Sequence, residues 1–293
     1  MILYPTELSP IEKQYWLNYA VAPRPICFAS TISASGGVNL SPFSYFNLFS
    51  TSPAVVIFSV TRRMKDGSSK DTLQNLQEVP ELVINLVNDS MVQAMNLSSA
   101  NYPREVNEFT KAGFTAIPAQ MVRPPMVKES LIRLECRVME IKSLGENAGA
   151  GQLVIAEVIC LHFEKDLLTE EGKVDATKMD LIARGGEDYY YRANLASQFS
   201  VPRPPAIPGM GIDALPDSIR KSEVLTGNQL ALLASVSDIP EVNPAFVDKH
   251  LQQIIQYFSI NPTEMEQEVH RLAADWLQKG NAEAAWQVLL TTL

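Results

Sequence analysis

Cysteine and histidine are scarce in this chain of 293 residues, three of each. Cys27, Cys136 and Cys160 each sit inside an apolar, strand-like run, without the close pairing that a metal knuckle or a redox dithiol needs. They read as buried thiols acting as small hydrophobes. His162, His250 and His270 are far apart, and none falls in a ligand pattern such as H-E-x-x-H, so no metal is expected. Positive charge is short as well: 24 Lys and Arg stand against 33 Asp and Glu, a net charge of −9 with a sequence pI near 5.0. Nucleic-acid binding rests on clustered cations that release counterions, so that class is excluded and any anion site must be local. No run approaches the roughly 18 apolar residues that cross a bilayer. The N-terminus, with Glu7, Glu12 and Lys13 among scattered apolar residues, lacks the basic-then-apolar pattern of an export signal. A soluble, cytoplasmic protein with no membrane partner is expected.

What is present is a β-rich pattern followed by a helical one. Ser9-Pro10-Ile11-Glu12 predicts a capped helix running to about Tyr19. Strand-like runs then cover Ile26 to Ser33, Val38 to Ser41, Ala54 to Thr61, Glu81 to Val87, Leu131 to Lys142 and Gln152 to Phe163. Ser35-Gly36-Gly37 fits a hairpin turn between the first two. Short helices are predicted over Thr72 to Glu78, capped by Asp71, and over Ser90 to Ser98, capped by Asp89. Many strands with Gly and Pro at the turns favour a closed antiparallel barrel over a doubly wound sheet. The closely spaced prolines from Val201 to Gly209 mark a boundary, placed at 205/206. Beyond it, Asn243-Pro244 and Asn261-Pro262 each read as N-cap plus first helical residue, and a last helix covers Ala282 to Leu293. Met265, Val269, Leu272, Ala273, Trp276 and Leu277 form one apolar stripe that needs a covering surface, in neighbouring helices, the barrel or a partner protein.

Three stretches carry chemistry. Ala22-Pro23-Arg24-Pro25-Ile26 leads a strand that leaves Ser30 and Thr31 near its end. Asn39-Leu40-Ser41-Pro42-Phe43-Ser44-Tyr45-Phe46-Asn47 offers hydrogen-bonding groups and aromatic cover for a heterocycle, or else is a proline-kinked loop with ordinary core aromatics. Phe58-Ser59-Val60-Thr61-Arg62-Arg63 is followed by Lys70-Asp71-Thr72 at a helix start, where free N–H groups, Lys70 and Arg62 can hold a phosphate. The helix end itself supplies only about 0.3 to 1 kcal/mol, so the side-chain cations must do most of the selection. The alternative for this third stretch is a capped helix with solvated cations.

Taken in this order, and continued by LVINLV, Glu108-Phe109-Thr110-Lys111-Ala112-Gly113, Glu135-Cys136-Arg137 and Ala183-Arg184-Gly185-Gly186, the pattern resembles the flavin reductase-like family of FMN-binding split barrels over roughly the first two hundred residues. The resemblance implies a mainly β chain: a six-stranded antiparallel split β-barrel with short flanking helices (1–205) and an α-helical C-terminal extension (206–293). It implies a homodimer with non-covalent FMN near the subunit interface. By position, Ser30, Thr31, Asn39, Ser41, Pro42, Ser44, Tyr45 and Phe46 would line the ring, and Ser59, Thr61, Arg62, Lys70 and Thr72 would hold the ribityl phosphate. Arg24 would buttress the ring loop, and Arg184 would approach from the partner subunit or stabilise the dimer. His162 would stand near the nicotinamide side of the flavin as the catalytic candidate, or else be a half-buried barrel histidine.

The leading expectation is an oxidoreductase in which NADH or NADPH reduces bound FMN and the electrons pass to a flavin, a partner oxygenase or another acceptor. The hydride chemistry would belong to the flavin, with the protein supplying orientation and electrostatics. The alternatives are an FMN electron carrier without NAD(P)H activity, and an interaction protein on a barrel that has lost its flavin. The intact Asn39 to Phe46 and Lys70-Asp71-Thr72 stretches count against the last.

Overall fold

A computed structural model describes residues 1–201, 203 and 207–293, and divides into two units, Met1–Phe199 and Ser200–Leu293. The boundary expected at 205/206 lies outside the described residues. In the first unit the strands are β1 (Arg24–Pro25), β2 (Cys27–Ile32), β3 (Val38–Phe43), β4 (Phe46–Thr51), β5 (Ala54–Thr61), β6 (Glu81–Asn85), β7 (Ala116–Ile117), β8 (Met126–Val127), β9 (Ile132–Ser143), β10 (Gly151–Phe163), β11 (Leu181–Arg184) and β12 (Tyr190–Ala193). Its helices are α1 (Pro10–Ala20), α2 (Asp71–Glu78), α3 (Val92–Ser98) and α4 (Glu108–Ala112).

The main sheet is antiparallel in the order β3-β2-β6-β9-β10-β5-β4. The expected six strands closed into a barrel meet a sheet of seven, whose edges β3 and β4 share no ladder among the described residues. The extra strand, β4, was hidden because Asn47, Leu48 and Phe49 are all exposed, so no alternation of apolar and polar residues marks it. Gly36 takes φ +91° in the turn between β2 and β3, the left-handed conformation for which glycine was expected there.

Side chains on a strand alternate between faces, and β2 separates two cores in this way. Cys27 and Ala29 join Phe43, Phe58, Leu82 and Val154 on the face that α2 covers with Leu73 and Leu76. Ile26 and Phe28 join Leu40, Met91, Met95 and Phe109 on the face beneath α3 and α4. Burial on both faces leaves nearly all of β2 hidden from solvent. α1 has the expected capping box, Ser9 with Glu12, yet none of its residues is buried. Two caps differ from expectation. Asp71 is the first helical residue of α2 rather than its cap and instead faces Arg63 at 3.6 Å. Asp89 opens a 3₁₀ turn before α3 and caps nothing with its side chain.

The second unit holds α5 (Asp217–Arg220), α6 (Gly227–Leu233), α7 (Lys249–Tyr257), α8 (Pro262–Gln278) and α9 (Ala282–Leu289) around Leu233, Leu251, Val269, Ala273, Trp286 and Val288. The stripe on α8 is covered by this core. Asn261 caps α8 as expected, but Asn243-Pro244 opens a turn instead. α7 starts at Lys249 because the Asp248 carboxylate accepts from the amides of His250 and Leu251.

Candidate functional site

β3 is an edge strand, paired only with β2, so alternate backbone groups along it face away from the sheet. Leu40 N–H points outward and donates to Glu108 Oε2 at 3.1 Å. Pro42 occupies the next outward position, where a missing N–H costs no ladder bond. Asn39 and Ser41 share the face on which α2 lies. The Asn39 amide is oriented by its neighbours: Nδ2 donates to Glu108 Oε1 at 3.1 Å, and Oδ1 accepts from Thr72 Oγ1 at 2.7 Å. Thr31 completes this network, accepting from Asn75 Nδ2 at 3.2 Å and lying 3.5 Å from Asn39 Oδ1.

A narrow cleft of about 30 Å³ opens here, between Asn39, Ser41, Lys70, Thr72, Glu108 and the segment Ser98 to Tyr102. Lys70 is half-buried; its ammonium sits 5.2 Å from the centroid of the Phe43 ring and has no acidic partner among the described residues. Burial and the nearby Arg63 guanidinium lower its pKa below the usual lysine value. Lys70 also walls a larger opening of about 610 Å³ with Thr61, Arg62, Arg63, Lys65 and Ser68. There Arg62 donates to Gly67 O at 3.1 Å, while its buried Nε has no hydrogen-bond partner among the described residues. The two openings hold four cations and the carboxylates of Asp66, Asp71 and Glu108, and among the described residues Arg63 alone of the cations is paired with a carboxylate, that of Asp71.

Further along β3, Pro42, Phe43 and Ser44 line a cavity of about 180 Å³ with Met95, Asn96, Arg184 and Tyr190. Ser99 is common to this cavity and the cleft. Asn96, Arg184 and Tyr190 continue it into one of about 390 Å³ beneath β11 and β12. The Arg184 guanidinium lies 4.5 Å from the Tyr190 ring centroid and donates to Glu187 O. A cationic end, an edge strand and a wider end with aromatic and guanidinium walls thus follow one another along β3. Such an arrangement suits an elongated ligand with an anionic tail and a planar head.

A family model described as a flavin reductase-like domain matches residues 19–179, more than half of the chain. The chain belongs to the flavin reductase-like family. A relative in Halalkalibacterium halodurans, an uncharacterized protein, is 38% identical over 208 residues, covering 70% of this chain and 97% of that one. Among solved structures, nitrilotriacetate monooxygenase component B from Bacillus cereus is similar with a TM-score of 0.63 at 31% identity, over 69% of this chain and 98% of that one. A Shewanella frigidimarina chain with a split barrel domain matches with a TM-score of 0.57 at 21% identity, over 69% and 100% of the two chains, and shows the fold alone.

For this flavin reductase-like chain the structure brings together most, not all, of the residues read from sequence. Asn39, Ser41, Lys70 and Thr72 meet at the cleft; Thr61 and Arg62 at the larger opening; Pro42, Ser44 and Arg184 at the cavity. Arg184 reaches that cavity within its own chain. Ser30 and Thr31 are both fully buried and, as adjacent strand residues, face opposite ways: Thr31 joins the Asn39 network, while Ser30 Oγ has no hydrogen-bond partner among the described residues. Tyr45 turns to α1, its hydroxyl 3.0 Å from Asn18 Oδ1, and Phe46 packs against the core. Ser59 is buried against the backbone of Gly151, where any Cβ would fall 2.7 Å from Ser59 Oγ. The Arg24 guanidinium donates to Asn18 O, Val21 O and Gly185 O, tying α1 to the turn after β11, and meets the expected ring loop at the Tyr45 ring, 5.8 Å from its centroid.

His162 is not brought to the others within one chain. Gly151 of β10 stands opposite Thr61, and His162 lies far along the same strand, about 36 Å away at 3.3 Å per residue. Its Nε2 is 2.6 Å from Glu135 Oε1 and 3.4 Å from Cys160 Sγ. These three side chains are close enough for a shared metal ion. The Glu135 oxygens, however, already accept from the amides of Gln120, Met121 and Val122, so the carboxylate is engaged in holding that segment. Burial alone would raise its pKa; these amides and His162 outweigh that and lower it. Residues missed from sequence include Arg63, Met95, Asn96, Ser99 and Glu108. Arg63 and Glu108 stood inside recognised stretches, but nothing in their spacing said that their side chains would meet.

Proposed function

We propose that this chain binds FMN without covalent attachment, with the phosphate at the Lys70 end of the β3 edge and the ring at the Pro42, Ser44 and Arg184 end. We propose further that it is an oxidoreductase that takes electrons from NADH or NADPH and passes them to a flavin or another acceptor. The observation that carries this reading is a half-buried ammonium with no acidic partner among the described residues, beside an edge strand along which the cleft at Asn39 and Ser41 gives way to the cavity at Pro42 and Ser44. The orphaned Arg62 Nε beside it fits the same anion. FMN, when bound, would supply the hydride and electron chemistry.

The side chains divide the remaining work. Lys70, Arg62 and Arg63 hold the phosphate. Thr72 spends its one hydroxyl proton on Asn39, so it fixes that amide rather than donating to the anion. Arg184, stacked near Tyr190, places a positive charge beside the ring, where it favours added negative charge. Met95 excludes water from one side. His162 is read as holding Glu135 and the segment 120–122 rather than touching the ring.

Exposed apolar side chains on α1 (Ile11, Trp16, Leu17) and on β4 (Leu48, Phe49) support a homodimer. The name of the Bacillus cereus relative supports an oxygenase partner for the electrons. The chain has no separate dinucleotide motif, and this favours a second reading, an FMN carrier that receives electrons from a protein. An anaerobic absorbance titration decides between them. FMN whose spectrum shifts on binding and then bleaches with NADH or NADPH, faster than free FMN does, supports the reductase. A shifted spectrum that neither nucleotide bleaches supports the carrier, and no shift refutes both.

A further inference from the structure

The cleft that holds Lys70 also holds a carboxylate, and an acceptor-only group is the wrong neighbour for a fully ionised anion. Glu108 is 6% exposed, at the first residue of α4, with one oxygen on Asn39 Nδ2 and the other on Leu40 N, both at 3.1 Å. At about 30 Å³ the cleft has room for two or three waters by the measure of one probe sphere each, which is also the room needed for phosphoryl oxygens. An anion there lies against Glu108 as well as Lys70.

We infer that Glu108 is a specificity residue of this cleft: its carboxylate and a phosphate monoester share a single proton, so that the ester enters with uptake of one proton from solvent. The inference rests on the phosphate reading of the cleft given above. A carboxylate facing the phosphate then selects an anion that can carry or accept a proton. The same proton turns a repulsive oxygen pair into a short O–H···O hydrogen bond.

The groups facing Glu108 are few. From the start of α2 come Lys70 and Asp71, from the segment after β5 Arg63, and from the segment after α3 Tyr102. β3 contributes only Asn39, Leu40 and Ser41, and α3 carries no titratable side chain. Burial raises the Glu108 pKa, bonds from Leu40 N, its own amide and Asn39 oppose this, and Asp71 adds to the rise. The carboxylate is thus already biased toward taking a proton. A monoester phosphate, whose second pKa is about 6, carries two charges at neutral pH and adds to that bias.

The test is calorimetric titration of the full-length protein with FMN and with riboflavin, each in two buffers of different ionisation enthalpy, from pH 7 to 9. The expected result is uptake of about one proton with FMN and none with riboflavin, and an FMN affinity that falls about tenfold per pH unit. Glu108→Gln is expected to bind FMN with no proton uptake and a flat pH profile. FMN binding without proton uptake by the wild-type protein overturns the inference and leaves the FMN reading standing. So does proton uptake that persists in Glu108→Gln, which would trace it to Lys70. Failure to bind FMN at any pH overturns both. If Glu108 only positions Asn39, the variant loses affinity while the wild type binds FMN without proton uptake, and the inference is overturned.

Discussion

Replacing Lys70 with methionine keeps the length and the apolar stem of the side chain and removes one charge from the cleft. With a phosphate bound, that charge makes an ionic hydrogen bond, and such a bond contributes about 1.5 to 3 kcal/mol. FMN affinity should fall roughly ten- to a hundredfold, while riboflavin, which lacks the phosphate, should be unaffected. Without flavin the sign reverses. A half-buried charged donor lacking an acidic partner costs about 1 to 3 kcal/mol, and its contact with the Phe43 ring at 5.2 Å returns about 0.5 to 1. The net strain is about 1 kcal/mol, so the flavin-free variant should melt about 2 to 4 °C higher than the wild type. The pH dependence follows from the lowered pKa, caused by burial and by Arg63. Between that lowered value and 10.5 the unfolded chain binds more protons than the folded one, so wild-type stability gains with rising pH in that window, and the variant lacks this gain. Fluorescence titration with both flavins, together with thermal melts across pH, reads all three effects. Equal loss of FMN and riboflavin, or a lower melting temperature without flavin, would refute the assignment of Lys70 as an unpartnered phosphate ligand.

Three further outcomes follow from side chains away from the cleft. Arg24→Ala leaves three carbonyls without their donor and should cost about 3 kcal/mol, a melting temperature about 6 to 12 °C lower, with Arg24→Lys recovering less than half because an ammonium cannot fork to all three. Glu135 has a lowered pKa despite its burial, so its contribution is present above pH 4.5 and is lost as pH falls through the folded value; urea midpoints of Glu135→Gln should fall below wild type at pH 7 and converge with it in acid. Burial pushes the Cys27 and Cys136 thiols up, and both are fully buried, whereas Cys160 is partly exposed; a thiol reagent at pH 8 should modify Cys160 alone until the chain is unfolded, and fast labelling of all three would contradict the described core.

Much of the architecture was legible because local rules act over a few residues. The capping box at Ser9, the Gly36 turn, the Ala54–Thr61 strand and the Asn261 cap each depend on neighbours in sequence, and each is found. The resemblance carried the family and the stretches around the site. Where local rules had rivals, the reading slipped: Asn243-Pro244 looked like a helix start, but the competing Asp248 carboxylate satisfied the amides of α7. β4 escaped because an exposed edge strand has no buried face to impose alternation.

By itself, then, the order of residues determined the β-rich first unit, the helical second one, the family, and the presence of a cation-rich turn ahead of α2. Only the tertiary structure decided which backbone groups of β3 face away from the sheet, since pairing with β2 along one edge leaves Leu40 N–H pointing out. It alone brought Glu108 into the same cleft as Lys70, across a separation in sequence that no local pattern spans. It also set His162 against Glu135 and Cys160, at the far end of β10 from the residue that stands opposite Thr61. Contacts between distant segments depend on how whole elements pack, and no periodicity within either segment encodes that.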